Sequence, residues 1–353
     1  MIFDKSVLGN LEELLMVKGK KYIIYHRDAD GVCSAAQIMK VYKGFRGLCR
    51  EGPILDDSFI KFLILSEPKV IVFVDLPVDQ HHEKLVKLKE KTDAGIAIID
   101  HHPFEKNMNS EGIIHINNMF LDGFKDSYIP ASCIIWRLLG EMGNDSEPYS
   151  WIAGIGVIGD YGPKECMDVI KSVRRQNPEL VKGEIMKCNL SNGSDMISAS
   201  ITVRGLKGAD YSLKLLRKSE SFYDFVSDDN LIEWNGILQS EVARLADDFR
   251  KNKEIDEKKK LIFYEIKSDL SISSIISTVV SEMYSTHVIV IYKKWNDSFK
   301  VSMRCQDGHV DVGELGKKCS EGIGSGGGHK KAAGAFINSD WDTFRKRIIE
   351  NIS

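Results

Sequence analysis

Histidines and aspartates gather in four short motifs, each placed where an apolar run stops. In IAIIDHHPF, residues 96 to 104, four apolar residues lead into Asp100, His101 and His102, and Pro103 ends the run. KYIIYHRDADG, residues 21 to 31, ends in His26, Asp28 and Asp30, and KVIVFVDLPVD, residues 69 to 79, carries Asp75 before a proline turn. Imidazole and carboxylate together are ligands for divalent metal ions. A single carboxylate at a strand tip is commonplace as a helix cap or turn residue. Three such tips in one domain point instead to a shared site. The fourth motif, GDYG at residues 159 to 162, follows the almost wholly apolar WIAGIGVIG. Read alone, Asp160 suits an exposed helix end equally well; after three strand-tip clusters it becomes the expected last ligand.

The chemistry follows from charge. Asp28, Asp30, Asp75 and Asp160 converging on one crevice would repel one another and hold protons unless positive charge were supplied. Arg27 is the only cation within the ligand-bearing ends of the four motifs, HRDADG, VDLP, DHH and GDYG. Two divalent ions roughly 3.5 to 4 Å apart would neutralise the site, acidify a shared water and stabilise the attacking and leaving oxygens of a phosphoryl transfer.

The elements that must position these residues are short buried strands, and in open parallel sheets ligands bind at the carboxyl edge. An amphipathic helix is expected over residues 4 to 18, followed by strands at 22 to 26, 69 to 74 and 95 to 99, alternating with helices at 31 to 43 and 79 to 91. That alternation implies βαβ units and a parallel sheet. A strand at GIIHINN (112 to 118) and helices at 129 to 142 and 149 to 159 continue the domain. Residues 163 to 255 read as mainly helical and polar, and KNKEIDEKKK (251 to 260) as a solvated boundary. Beyond it, LIFYEI, SISSIISTVVSEMY, HVIVIYKKW and SFKVSMRC read as strand, helix, strand and strand. The expected fold class is α/β: an N-terminal parallel-sheet domain over 1–205, a helical linker over 206–255 and a smaller C-terminal α/β domain over 256–353, with the active site in the cleft between the two domains.

The second domain contains GIGSGGGHKKAAGAF, residues 322 to 336, with six glycines in the thirteen residues from Gly322 to Gly334. So many glycines disfavour a helix or strand interior, and a loop whose backbone N–H groups approach an anion is expected. His329, Lys330 and Lys331 add donors there.

Composition bounds the function. With 353 residues, 43% of them hydrophobic, the chain can fill two domains. No apolar run reaches the roughly 20 residues needed to cross a bilayer. The start, MIFDKSVLGN, lacks a basic region followed by a hydrophobic core, so a cytoplasmic location is expected. Seven scattered cysteines without a C-x-x-C pair read as reduced packing residues. A net charge of -3 carries no duplex-binding signature. His81 and His82 fall in the first turns of a helix and read as surface; His115 and His287 read as strand residues.

HRDADG, VDLP, DHH, GDYG and GGGHKKAAG, in that order, resemble the DHH phosphoesterases with a DHH-associated C-terminal domain. That superfamily includes RecJ-like single-strand exonucleases, nanoRNases and cyclic dinucleotide phosphodiesterases. The resemblance implies that His26, Asp28, Asp30, Asp75, His101 and Asp160 hold two divalent cations, manganese or else magnesium, with Asp75 bridging them. It implies that Asp100 orients a neighbour, that His102 faces the substrate phosphate, and that Arg304, Gly326, Gly327, Gly328 and His329 hold the substrate's far side. The implied activity is release of nucleoside monophosphates from short single-stranded RNA or DNA. The alternatives are a small-nucleotide phosphodiesterase or phosphatase, acting on a cyclic dinucleotide or nucleoside bisphosphate, and a GINS-associated replication subunit; a homodimer is a further expected assembly. One departure matters: the exonuclease branch often has an acid where this chain has His26, which keeps the small-nucleotide reading open.

Overall fold

The apolar runs become the central strands of a parallel sheet covered on both faces. The computed structural model describes residues 3–338 and 340–352, which divide into two units, Met1–Asn235 and Gly236–Ser353. In the first, β1 (Lys21–His26), β2 (Phe45–Arg50), β3 (Val70–Val74), β4 (Gly95–Asp100) and β5 (Ile114–Asn117) lie in the order β2-β1-β3-β4-β5, every pair parallel. Val70, Val72 and Val74 enter one core cluster while Ile71 and Phe73 enter another, so β3 has no solvent face and reads as an unbroken apolar run. The chain leaves β1 for β2, then returns past β1 to form β3. At such a reversal the connections diverge and open a crevice at the carboxyl ends. The tips flanking it carry His26 and Asp75.

Two elements of this unit are absent from the sequence pattern. FRGLCR forms β2, and residues Asp57–Leu65 form a helix behind it. As an edge strand β2 is only partly buried, so it needs no apolar run, and Phe45 alone of its residues is buried.

Residues 206–235 do not form a separate linker. The helices Leu206–Lys218 and Phe222–Val226 bury Leu213, Leu216, Phe222 and Phe225 in the same core cluster as β1 and β3. Asp210 accepts a 2.6 Å hydrogen bond from the Tyr25 hydroxyl. A polar helix needs only one apolar stripe to dock, and a mean over the segment conceals that stripe.

In the second unit β6 (Glu254–Asp256), β7 (Leu261–Glu265), β8 (Val288–Trp295), β9 (Ser298–Cys305), β10 (Gly324–His329) and β11 (Ala332–Asn338) form a mixed sheet in the order β10-β11-β9-β8-β7-β6. The smaller α/β domain is as expected, but its glycine stretch is not a loop. Gly324–His329 is an edge strand, antiparallel to β11, with Gly326 opposite Ala335 and Gly327 opposite Gly334. The missing side chains permit contact between backbones. A Cβ on Gly326 would stand 2.6 Å from the Gly316 oxygen, and one on Gly313 2.5 Å from the Gly328 oxygen. The helix Val312–Ser320 therefore lies directly on the strand, and this packing outweighs a propensity penalty of about 1 kcal/mol per glycine. No helix among the described residues is long and apolar enough to cross a membrane.

Candidate metal centre

Each motif residue is aimed by a local device. Asp28 caps the helix Ala29–Val41: its Oδ1 accepts from the Gly31 N–H at 2.8 Å, while Oδ2 stands 2.6 Å from His26 Nδ1. Asp30, in the first turn of that helix, is fully buried. Its oxygens accept from the N–H groups of Ala131 (2.7 Å) and Ser132 (3.0 Å), at the positive N-terminal end of the helix Ala131–Glu141. Gly156 leaves room for this carboxylate, since a Cβ there would stand 3.0 Å from Asp30 Oδ1.

Asp75 follows β3 with φ +57°, a left-handed conformation uncommon for a residue with a side chain, and its N–H donates to the Ile99 oxygen at 3.0 Å. The carboxylate stands between two neighbouring tips. Its Oδ2 is 3.3 Å from His26 Nδ1, and its Oδ1 is 3.2 Å from His101 Nε2. Asp160 closes the helix Ser150–Gly159, with Oδ2 3.5 Å from His101 Nε2. The structure thus brings all six expected ligands together in two groups, His26–Asp28–Asp75 and Asp30–His101–Asp160, linked through Asp75, which also joins Asp100, His101 and His102.

Without cations this cluster is electrostatically poor. Burial, then Asp28 and Asp30, pushes Asp75 well above the carboxylate range. Burial raises Asp30 too, and burial with the Asp30 charge pushes Asp160 up to about 7. Burial opposes charge on His26, but Asp28 and Asp75 outweigh it and push the imidazole up to about 11. His26 Nδ1 and Asp75 Oδ2 are buried without a well-directed hydrogen bond although 3.3 Å apart. A cation is the partner that such a donor set lacks, and mixed imidazole and carboxylate ligands suit a transition ion.

Asp100 and His102 form a pair of their own, Oδ1 to Nδ1 at 2.8 Å. Burial again opposes charge, but Asp100 raises His102, and the His102 contact holds Asp100 low. Three neighbours escape sequence reasoning. Asn117, at the tip of β5, donates to the His102 oxygen at 2.9 Å. Tyr128 donates to Asp160 Oδ2 at 2.7 Å and sets its ring edge against His101. Buried Asp79 accepts from the N–H groups of Glu105 and Lys106, pinning the chain after the histidine pair. A polar residue ending an apolar strand could have flagged Asn117; the other two depend on contacts distant in sequence. His115 is a buried strand residue, as expected, accepting from the Met108 N–H.

In the second unit Arg304, Ala332 and His329 lie in one row across β9, β11 and β10. Directly paired residues share a face, so Arg304 and His329 face the same way about 10 Å apart, two strand spacings. Arg304 is held by the Ser274 hydroxyl at 2.9 Å. Gly326, Gly327 and Gly328 line the sheet edge, where every second amide is directed away from the partner strand. Cys305, Asp307 and His309 also approach one another, but the Asp307 carboxylate already accepts from the ring and backbone N–H of His309, which completes the turn.

A family model described as the DHH family, N-terminal domain, matches residues 20–159, and one described as the DHHA1 domain matches 258–353. No curated protein matches in sequence. Among solved structures the chain is similar to RecJ from Thermus thermophilus in complex with Mn2+ (TM-score 0.74, 16% identity, 97% of this chain and 53% of that one). It is also similar to an exonuclease RecJ bound to manganese (0.70, 16%, 97% and 92%). A third is PggH from Vibrio cholerae, a pGpG-specific phosphodiesterase (0.51, 11%, 95% and 99%). The chain spans about half the length of the Thermus RecJ. At these identities the likeness is one of fold.

Proposed function

We propose that this chain, which carries a DHH family N-terminal domain and a DHHA1 domain, is a metal-dependent exonuclease releasing nucleoside monophosphates from short single-stranded RNA or DNA. One observation carries the reading: the oxygens of Asp75 face opposite ways, one toward His26 and Asp28, the other toward His101 and Asp160. In this reading His26, Asp28 and Asp75 would hold one cation and Asp30, Asp75, His101 and Asp160 a second, manganese or magnesium. Such cations would supply Lewis acidity at the scissile phosphate.

The side chains do the rest. Asp100 takes Nδ1 of His102 and favours its charged form, leaving Nε2 to donate to a phosphate oxygen. Tyr128 fixes the orientation of Asp160, and Asn117 fixes the backbone at His102. Arg304 and His329 bind the substrate strand. Arg304→Ala and His329→Ala should each raise KM roughly tenfold or more, the loss of one charge-assisted hydrogen bond, while manganese affinity by calorimetry stays unchanged. Lost metal affinity would mean that the row has been assigned the wrong role.

The reading is tested by incubating end-labelled single strands, blunt duplexes, dinucleotides, cyclic dinucleotides and nucleoside bisphosphates side by side. Residues 256–353 hold 15 Lys and Arg against 13 Asp and Glu, too small a surplus for tight binding of long tracts. Oligomers of a few nucleotides should therefore be cleaved at least as efficiently as long strands, and duplex poorly. Turnover of a cyclic dinucleotide or a bisphosphate with no ladder from linear strands would replace the exonuclease by the small-nucleotide reading.

A further inference from the structure

Beyond the Arg304–His329 row, the same face of the second sheet carries a feature that a mononucleotide site does not need. Pairing of Trp295 with Ser298, and of Lys300 with Phe336, puts these residues in register with Arg304, because partners and every second residue along a strand share one face. Trp295 is 49% exposed and Phe336 38%, and the Lys300 ammonium stands 4.3 Å from the centre of the indole. Two exposed aromatics thus flank one lysine. Single exposed apolar residues are ordinary; a pair grouped around a cation, facing the way the substrate row faces, is not random scatter.

The ground between the two ends is open. Arg304 lies four residues along β9 from Lys300, about 13 Å at strand rise. Midway, Ser302 pairs with Gly334, and Gly334 with Gly327. Gly334 is exposed, whereas Ser302 is covered by a 2.9 Å hydrogen bond with Ser277 of the helix Ser273–Met283. The result is a floor without side chains, walled on the β9 side by that helix.

We propose that this face is a track for a single strand, with Trp295, Lys300 and Phe336 forming a base-stacking subsite several nucleotides from the end held at Arg304 and His329. The proposal rests on the exonuclease reading and adds to it a chain-length preference. A nucleic acid strand alternates stacking faces with phosphates, which is the alternation of ring and ammonium found here. The second unit has little surplus positive charge, so holding a strand there depends on stacking more than on phosphate neutralisation. A dinucleotide held at Arg304 does not reach Trp295; a longer oligomer does.

The test is a length series from dinucleotide to octanucleotide, with kcat and KM for the natural chain, Trp295→Ala, Phe336→Ala and Trp295→Phe, and octanucleotide affinity by fluorescence anisotropy with calcium in place of manganese. Stacking of one base predicts a roughly tenfold rise in KM and Kd for the octanucleotide on either alanine change, unchanged kinetics on the dinucleotide, and recovery of most affinity in Trp295→Phe. Equal loss at every length, or no loss at any, overturns the track. If the natural chain binds the octanucleotide with this dependence on Trp295 but hydrolyses no oligomer, the exonuclease reading fails and the track stands. No binding of the octanucleotide overturns the track itself.

Discussion

Replacing Asp75 with asparagine should lower kcat/KM on an oligonucleotide by roughly a thousandfold or more, because one change removes a ligand from both proposed cation positions. Asparagine is the informative substitution. The backbone at Asp75 has φ +57°, which asparagine tolerates far better than alanine, so the fold is kept while one charged oxygen is lost. The variant should also bind manganese more weakly at both positions in a calorimetric titration. Near-normal turnover in Asp75→Asn would remove the bridging role and the two-cation reading with it.

Chelation should abolish activity, and manganese should restore it better than calcium, since two imidazoles are poor ligands for an ion that prefers all-oxygen sites. Activity that persists in excess chelator would sink the proposal. The pH dependence follows from the raised groups. Cations must displace the proton from His26, held up to about 11, and below about 7 also the one on Asp160. Manganese affinity should therefore climb between pH 6 and pH 8, by up to tenfold per unit for each proton displaced. Stability of the metal-free protein moves with the same groups. The His26 contribution is complete below the ordinary 6.5 of an imidazole and is lost as pH rises through about 11. The raised Asp160 weakens the folded state as pH climbs from the usual carboxylate range through about 7. The gain in Tm on adding manganese should accordingly be larger at pH 8 than at pH 6; a gain independent of pH would contradict these assignments.

What the sequence made legible was whatever is local. An apolar run that breaks into Asp100, His101 and His102 announces a buried strand and a polar tip in one glance, and the same holds for His26 and Asp75. Asp160 was legible only by analogy with those three. Elements defined by their neighbours stayed hidden. β2 has no apolar run because an edge strand can be polar, and β10 looked like a loop because its glycines answer to the helix lying on them rather than to strand propensity. The second unit's sheet was readable from LIFYEI, HVIVIYKKW and SFKVSMRC, yet the row joining Arg304 to His329 exists only through β11, a register that spacing cannot predict. Tyr128 and Asp79 act through partners tens of residues away, and neither sits in a pattern that marks it.

The way the cluster is drawn from the chain also bears on how the protein reaches its native state. Its members come from the tips of β1, β3 and β4 and from the end of a helix beyond β5, so even one cation position needs strands that are not consecutive in the chain. The unit of β1 and the helix Ala29–Val41 presents His26, Asp28 and Asp30, but Asp75, His101 and Asp160 join them only with later elements. In small metal-folded domains the ion gathers a few neighbouring residues and organises the rest around itself. Here long-range parallel pairing has to come first, driven by the two core clusters flanking the sheet. A cation bound here would therefore be a late guest, recognising a finished topology instead of instructing it, with its binding energy spent on holding the assembled strand ends against opening.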